Sequence, residues 1–179
     1  MGLLVQKYGG TSVGSPERIA AVAQRVSRAV ANGDKIVVVV SAMSGETNRL
    51  VDLTNQFGGQ PNEMHRDLVL ATGEQVTVGL LSMILNKEGV KSLPLLGWQV
   101  PIITDDNHEK GKILNINSET IYYHFKSYDV VVLAGFQGIS INGDIISLGR
   151  GGSDTTAVAI ASSLKAERCD IYTDVEGVY

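Results

Sequence analysis

A chain of 179 residues with 44% hydrophobic content can bury the core of one domain. Its formal net charge of -4, with no basic run at either end, argues against a nucleic-acid or anionic-membrane surface. The single cysteine, Cys169, excludes an internal disulfide and a multi-cysteine metal site and fits a reducing compartment.

The N-terminal Leu3-Leu4-Val5 run is far too short for the apolar segment of an export signal, and Gln6 breaks the myristoylation pattern that Gly2 suggests. No apolar run reads as a membrane span, so the expectation is a cytoplasmic chain. Twenty glycines without a period imply tight turns rather than a fibrous repeat.

In chain order, Leu3 to Tyr8 reads as a buried strand running into Gly9-Gly10-Thr11-Ser12-Val13-Gly14. Ser15 as N-cap and Pro16 at the first position open a helix. Ile19, Val22, Ala23, Val26, Ala29 and Val30 form its apolar stripe and Gly33 stops it. Ile36 to Val40 is a continuous β-branched run, as in a strand covered on both faces, so the chain opens on a right-handed βαβ unit. After the turn at residues 41–45 a helix is expected with Leu50, Val51 and Phe57 facing inward, broken by Gly58 to Asn62. A long helical region then covers Glu63 to Lys87, restarting near Thr72, whose spacing to Gln75 matches a capping box.

Val90 to Leu96 and Val100 to Thr104 read as short strands, Asp105 to Lys112 as a polar loop and Asn117 to Lys126 as a helix. Asp129 to Ala134 repeats the buried-strand pattern. Ile139 to Leu148 carries Asn142-Gly143 between apolar residues, a type I′ hairpin signal. Ala157, Val158, Ile160, Ala161 and Leu164 recur at helical spacing, and Cys169 to Thr173 is a last strand, with Cys169 expected as a buried, inert thiol. This order predicts an α/β fold: a mostly parallel sheet between helix layers with one β-hairpin attached. Because the sequence stops just after a strand, the expectation is a domain incomplete at its C-terminal end.

Several motif matches fail in context. Gly9 and Gly14 have P-loop spacing, but position 15 is Ser where Lys is required. Gly149 and Gly151 start a dinucleotide fingerprint that Asp154 breaks. Gly10 to Gly14 is a literal G-x-S-x-G, yet a hydrolase elbow needs earlier strands, and only one strand precedes Ser12. His65, His108 and His124 share no metal-ligand spacing, and Asp105, Asp106 and Glu109 beside His108 read as a solvated loop.

Two glycine-rich turns remain, each at a strand's end and each with a cation: Lys7 beside the first and Arg150 inside Gly149-Arg150-Gly151-Gly152-Ser153-Asp154. The second turn opens a helix, so it is either an anion cradle or a tight loop whose Ser153 or Asp154 only caps the helix. In a parallel sheet both turns lie at the carboxyl edge, and two cradles on one crevice suit phosphoryl transfer between anionic partners.

The wording of these turns resembles the aspartokinases of the amino acid kinase superfamily. The resemblance rests on Lys7 to Val13, Val40 to Asn48, Thr72-Gly73-Glu74-Gln75, Gly135-Phe136-Gln137-Gly138, Gly149 to Asp154 and Thr173 to Tyr179, six blocks in the family's order along the whole chain. Tyr8 stands where Phe is common and Glu176 where Asp is common. The resemblance implies an amino acid kinase domain over residues 1–179 that continues further and is followed by ACT-type regulatory domains in the full-length, allosteric, homo-oligomeric enzyme.

It also implies transfer of the ATP γ-phosphate to the side-chain carboxylate of L-aspartate, giving 4-phospho-L-aspartate, the first step towards lysine, threonine and methionine. Under that reading Lys7 and Asp154 are catalytic, and Lys7 holds the β- and γ-phosphates with the Gly9 and Gly10 N–H groups. Tyr8, Ser41, Thr173, Asp174 and Tyr179 border the ATP. Thr47, Glu74, Arg150, Gly151, Gly152, Ser153 and Asp154 bind the substrate. Mg2+ rides mainly on the nucleotide phosphates, with no dedicated protein ligands. The 179-residue piece alone is expected to lack kinase activity, because in the family a second phosphate-binding lysine lies further on; as an inactive piece it could still bind an anion or amino acid. By physics alone a related kinase with another carboxylate acceptor stays open.

Overall fold

The apolar runs become the middle of a parallel sheet in the computed structural model, which describes residues 2–57 and 62–173. Along the chain the elements are β1 (Leu3–Tyr8), α1 (Pro16–Ala31), β2 (Lys35–Val40), α2 (Glu46–Asn55), α3 (Glu63–Leu70), α4 (Thr72–Lys87), β3 (Ser92–Leu95), β4 (Ile102–Thr104), β5 (Ile113–Ile116), α5 (Ser118–His124), β6 (Val130–Ala134), β7 (Gln137–Ile139), β8 (Ile145–Ser147), α6 (Gly152–Ser163) and β9 (Arg168–Tyr172). Five strands form one sheet in the order β3-β6-β2-β1-β9, every neighbouring pair parallel. The first βαβ unit is therefore as read from the sequence.

Because side chains alternate across a strand, the β-branched runs feed two cores. Ile36, Val38, Val40, Val130 and Val132 pack with Ile19, Val22 and Val26 of α1 and Val78, Leu81 and Leu85 of α4. Val37, Val39, Val131 and Leu133 point the other way, onto Ala157 and Ile160 of α6, Ile121 of α5 and Ile102 of β4. Each such side chain contributes about 1.5–3 kcal/mol relative to exposure, so the β2 and β6 runs require cover on both faces of the sheet.

α1 begins and ends as its punctuation predicts. Ser15 Oγ accepts the Arg18 N–H at 3.3 Å, and Pro16 occupies the first turn. At the other end Gly33, at φ +92°, donates to Val30 O while Asp34 N donates to Ala29 O, a Schellman closure.

Other expectations are corrected. Phe57 is 85% exposed and Val51 only partly covered, so Leu50 alone is buried in α2; Gly58 to Pro61 lie outside the described residues. Thr72 forms no capping box: its hydroxyl donates to Val69 O, continuing the helix, and α4 has no side-chain cap. Glu63–Lys87 is in fact long and apolar enough to cross a membrane by length and composition, yet half of its most apolar window is buried inside the fold. The hairpin β7–β8 does not close through a two-residue type I′ turn. Ser140 N pairs with Asp144 O across a loop of Ile141, Asn142 and Gly143, and among the three only Gly143 has a positive φ. Nor is the hairpin a mere attachment, for it joins β4 and β5, the latter unforeseen, in a second, mixed sheet of order β5-β4-β7-β8.

Candidate active site

Strand alternation sets the first feature. Tyr8 faces the α1–α4 core, so its neighbour Lys7 faces α6, where its Nζ lies 2.7 Å from Asp154 Oδ1. The turn after β1 is tight against the turn after β2: a Cβ on Gly10 would stand 2.9 Å from Ala42 O, and one on Gly9 would stand 3.3 Å from Lys7 Nζ. Gly10 needs glycine for close approach to the Ala42 carbonyl, and Ser44 N–H donates to Gly10 O at 3.2 Å to hold the turns together.

The same turn holds Glu74. A Cβ on Gly73 would meet Ala42 Cβ at 2.8 Å, so the first turn of α4 packs directly on residue 42, and the Ala42 N–H donates to Glu74 Oε1 at 2.9 Å. The carboxyl group is almost fully buried and its Oε2 has no hydrogen-bond partner among the described residues. Burial pushes this carboxyl up to about 7, opposed by the hydrogen bond from Ala42.

The third feature is the turn that opens α6. Gly149 and Gly151 both take φ of 76°, a region that favours glycine. Gly151 is the N-cap and no side chain caps the helix, which removes the capping reading of Ser153 and Asp154. Gly135 supports the turn, since a Cβ there would stand 2.9 Å from Ser153 Cα, and Phe136 adopts φ 67° with its N–H donating to Thr156 Oγ1 at 3.2 Å. The Arg150 side chain is exposed and has no hydrogen bond or ion pair among the described residues.

These features converge. Lys7, Ser41, Thr47, Glu74 and the Arg150 to Asp154 run line one cavity of about 230 Å³, together with Gly149 and Phe136. Phe136, within the Gly135 to Gly138 stretch, carries no assigned role in the sequence; its positive φ is a structural signal that no sequence pattern carries. Tyr8 and Thr173 instead line a neighbouring cavity of about 290 Å³ with Ser12 and Arg25. There Tyr8 stacks on Tyr172 at 4.7 Å, Arg25 lies 4.6 Å above the Tyr172 ring, and burial holds the Tyr8 phenol well above its ordinary range. Asp174 and Tyr179 lie outside the described residues. Among the described residues no group of three His, Cys, Asp or Glu side chains could hold a metal ion.

The 105–112 segment is not a purely solvated loop. His108 Nδ1 lies 2.8 Å from Oδ2 of Asp67, a fully buried carboxylate on α3 that also accepts the Glu109 N–H and the Ser147 hydroxyl. Cys169 is partly rather than fully buried; burial, then Asp170 and Asp154, raise its thiol, which favours the protonated form.

Residues 2–179 match the model of the amino acid kinase family. An aspartate kinase of Stutzerimonas stutzeri is 56% identical over 179 residues, which are all of this chain and 43% of that protein. The crystal structure of aspartate kinase from Synechocystis superposes with TM-score 0.81 at 48% identity, covering 97% of this chain and 28% of that one. E. coli aspartokinase III in complex with aspartate and ADP shares the fold at TM-score 0.88 and 24% identity, covering 99% of this chain and 50% of that one. The chain thus spans less than half the length of the curated relatives it matches.

Proposed function

The chain belongs to the amino acid kinase family, and on that premise we propose that its cavity phosphorylates the side-chain carboxylate of L-aspartate with ATP. The observation that carries this reading is the set of charges on one cavity: the buried Oε2 of Glu74 and the Arg150 guanidinium, neither with a partner among the described residues, and Lys7 held by Asp154. Glu74 and Arg150 complement the ammonium and carboxylate of an amino acid, while Lys7 beside two close-packed glycines complements phosphate. Identity of 56% and 48% to aspartokinases over the whole of this chain supports aspartate as the acceptor.

The acceptor carboxylate is ionised at neutral pH, so no general base is required. One of its oxygens attacks the γ-phosphorus, the bond to the β,γ-bridging oxygen breaks, and ADP leaves with that electron pair. What the protein supplies is alignment and charge. Lys7, with the Gly9 and Gly10 N–H groups, meets the β- and γ-phosphates, and Asp154 fixes the lysine's aim. Arg150, Glu74 and Thr47 hold the amino acid, and the 151–153 backbone closes around it. Ser41 with Tyr8, Thr173, Asp174 and Tyr179 borders the nucleotide. Mg2+ held by the nucleotide phosphates would neutralise part of their charge, and no group of three His, Cys, Asp or Glu side chains among the described residues would bind it directly.

In the whole protein this is the first step towards lysine, threonine and methionine, carried out in the cytoplasm by a homo-oligomer. Exposed Met64, Leu68, Val76, Leu80 and Met83 on α3 and α4 offer apolar surface for such assembly. ADP release by the full-length protein, measured with L-aspartate, L-glutamate and N-acetyl-L-glutamate in turn, tests the reading. Stimulation by L-aspartate alone supports it; preference for another acceptor removes the aspartate assignment, and no stimulation removes the kinase.

A further inference from the structure

We infer that Asp67 is a positioning residue that fixes the distance between Glu74 and Arg150, the two charged ends of the proposed amino-acid pocket; the inference rests on that reading of the pocket. Neither Asp67 nor any of its partners lines the cavity. Its fully buried carboxylate gathers three separate segments. It accepts the Ser147 hydroxyl of β8 at 2.5 Å, lies 2.8 Å from His108 Nδ1, and takes the Glu109 N–H at 3.1 Å. The preceding residue doubles the grip, since Arg66 Nε lies 3.1 Å from Glu109 Oε1. Two consecutive residues of α3 therefore clamp two consecutive residues of the 105–112 segment.

The clamp connects to both ends of the pocket. On one side, α3 leads through Ala71 into α4, and Gln137 Nε2 donates to Ala71 O at 3.0 Å, tying that junction to β7. Glu74 stands in the first turn of α4, just beyond this junction. On the other side, Ser147 is three residues before Arg150. Gly111 N donates to Ser147 O at 2.9 Å, and a Cβ on Gly149 would stand 2.9 Å from Glu109 O. The Arg150 turn thus rests on the very residues that Asp67 holds.

Burial makes the arrangement all or none. A buried carboxylate that loses one donor is left with uncompensated charge, so β8 and the 105–112 segment cannot drift from α3 separately. Networks of this kind couple their members more strongly than isolated pairs do. The consequence is a fixed span for the zwitterion, with no direct contact to it.

The test uses Asp67→Asn, His108→Asn, Ser147→Ala and the Asp67→Asn/Ser147→Ala pair in the full-length protein. Asp67→Asn should raise the aspartate KM about tenfold while the ATP KM stays within about twofold, because a misplacement of 1 Å is enough for such a loss. Ser147→Ala should raise it less, and the pair by less than the product of the singles, as expected within one network. A folded Asp67→Asn with unchanged aspartate KM, or with both KM values rising together, overturns the inference. Should Asp67→Asn fail to fold, His108→Asn and Ser147→Ala are judged by the same criterion. Amide hydrogen exchange over residues 147–152 separates this inference from the functional reading. Faster exchange in Asp67→Asn supports the clamp even if the wild-type protein turns out not to use aspartate, and unchanged exchange overturns it even if aspartate is the substrate.

Discussion

Lys7 Nζ and Asp154 Oδ1 stand 2.7 Å apart, joining the carboxyl end of β1 to the first turn of α6. The lysine side chain is 11% exposed and the aspartate 48%, so the pair contributes at most about 1 kcal/mol to folding. Its worth is directional. An ammonium group that would otherwise sample many rotamers is held at the mouth of the Gly9–Gly10 turn.

Lys7→Ala and Asp154→Ala should each lower kcat by about a hundredfold or more, because they remove or misdirect charge at the transferring phosphate. Circular dichroism and melting temperature should change little in both. Turnover within a few-fold of wild type in either variant would remove that residue from the mechanism.

Glu74→Gln should raise the aspartate KM far more than the ATP KM, since the amide can still accept the Ala42 N–H but cannot pair with an ammonium. The pH dependence has a definite sign. Only ionised Glu74 pairs with the ammonium, so the wild-type aspartate KM should rise as pH falls through about 7, and Glu74→Gln should flatten that rise. Stability runs the opposite way. The folded carboxyl, raised by burial, keeps a proton that the unfolded chain has released, so ligand-free stability falls as pH rises from about 4.5 to about 7. Thermal melts across that window should show the fall in wild type and not in Glu74→Gln.

Gly135→Ala places a methyl group 2.9 Å from Ser153 Cα and pushes the start of α6 off β6. The expected cost is about 1–3 kcal/mol of stability, as in other overpacked sites, together with weaker aspartate binding. Denaturant melts and aspartate titrations measure both; a neutral variant would mean that the α6 turn is not held by this contact.

Ser12→Ala distinguishes two chemistries. A hydrolase would lose its nucleophile, whereas the proposed kinase should keep more than about a tenth of its turnover, because no covalent step uses Ser12. Loss of all activity with the fold intact would reopen the nucleophile reading of Gly10 to Gly14.

The parts of the site carried by local pattern were legible in the sequence. Glycines just after Lys7 and on both sides of Arg150 mark turns at strand ends, and the period-2 and period-3.6 patterns around them fix which edge those turns share. Glu74 was legible only through the resemblance of its block, since a first-turn glutamate is equally a helix-end preference. The Asp67 clamp was hidden, because its partners lie 41 and 80 residues away and nothing near His108 signals a buried carboxylate. The second sheet was hidden for a similar reason. β4 and β7 are three residues each, too short for alternation to register, and their pairing with β5 and β8 is decided by packing on α3 and α6. Phe57 followed the helical period of α2 but falls just past its last turn, where that period no longer dictates burial.

Whether this cavity moves a phosphoryl group onto an aspartate carboxylate is decided by trapping the product. Full-length protein is incubated with ATP, Mg2+, L-aspartate and hydroxylamine, and the hydroxamate formed is identified by mass. β-Aspartyl hydroxamate should form in amounts that match the ADP released, and should fall about a hundredfold or more in Lys7→Ala. Release of ADP without hydroxamate, or hydroxamate formation undiminished in Lys7→Ala, would contradict that transfer.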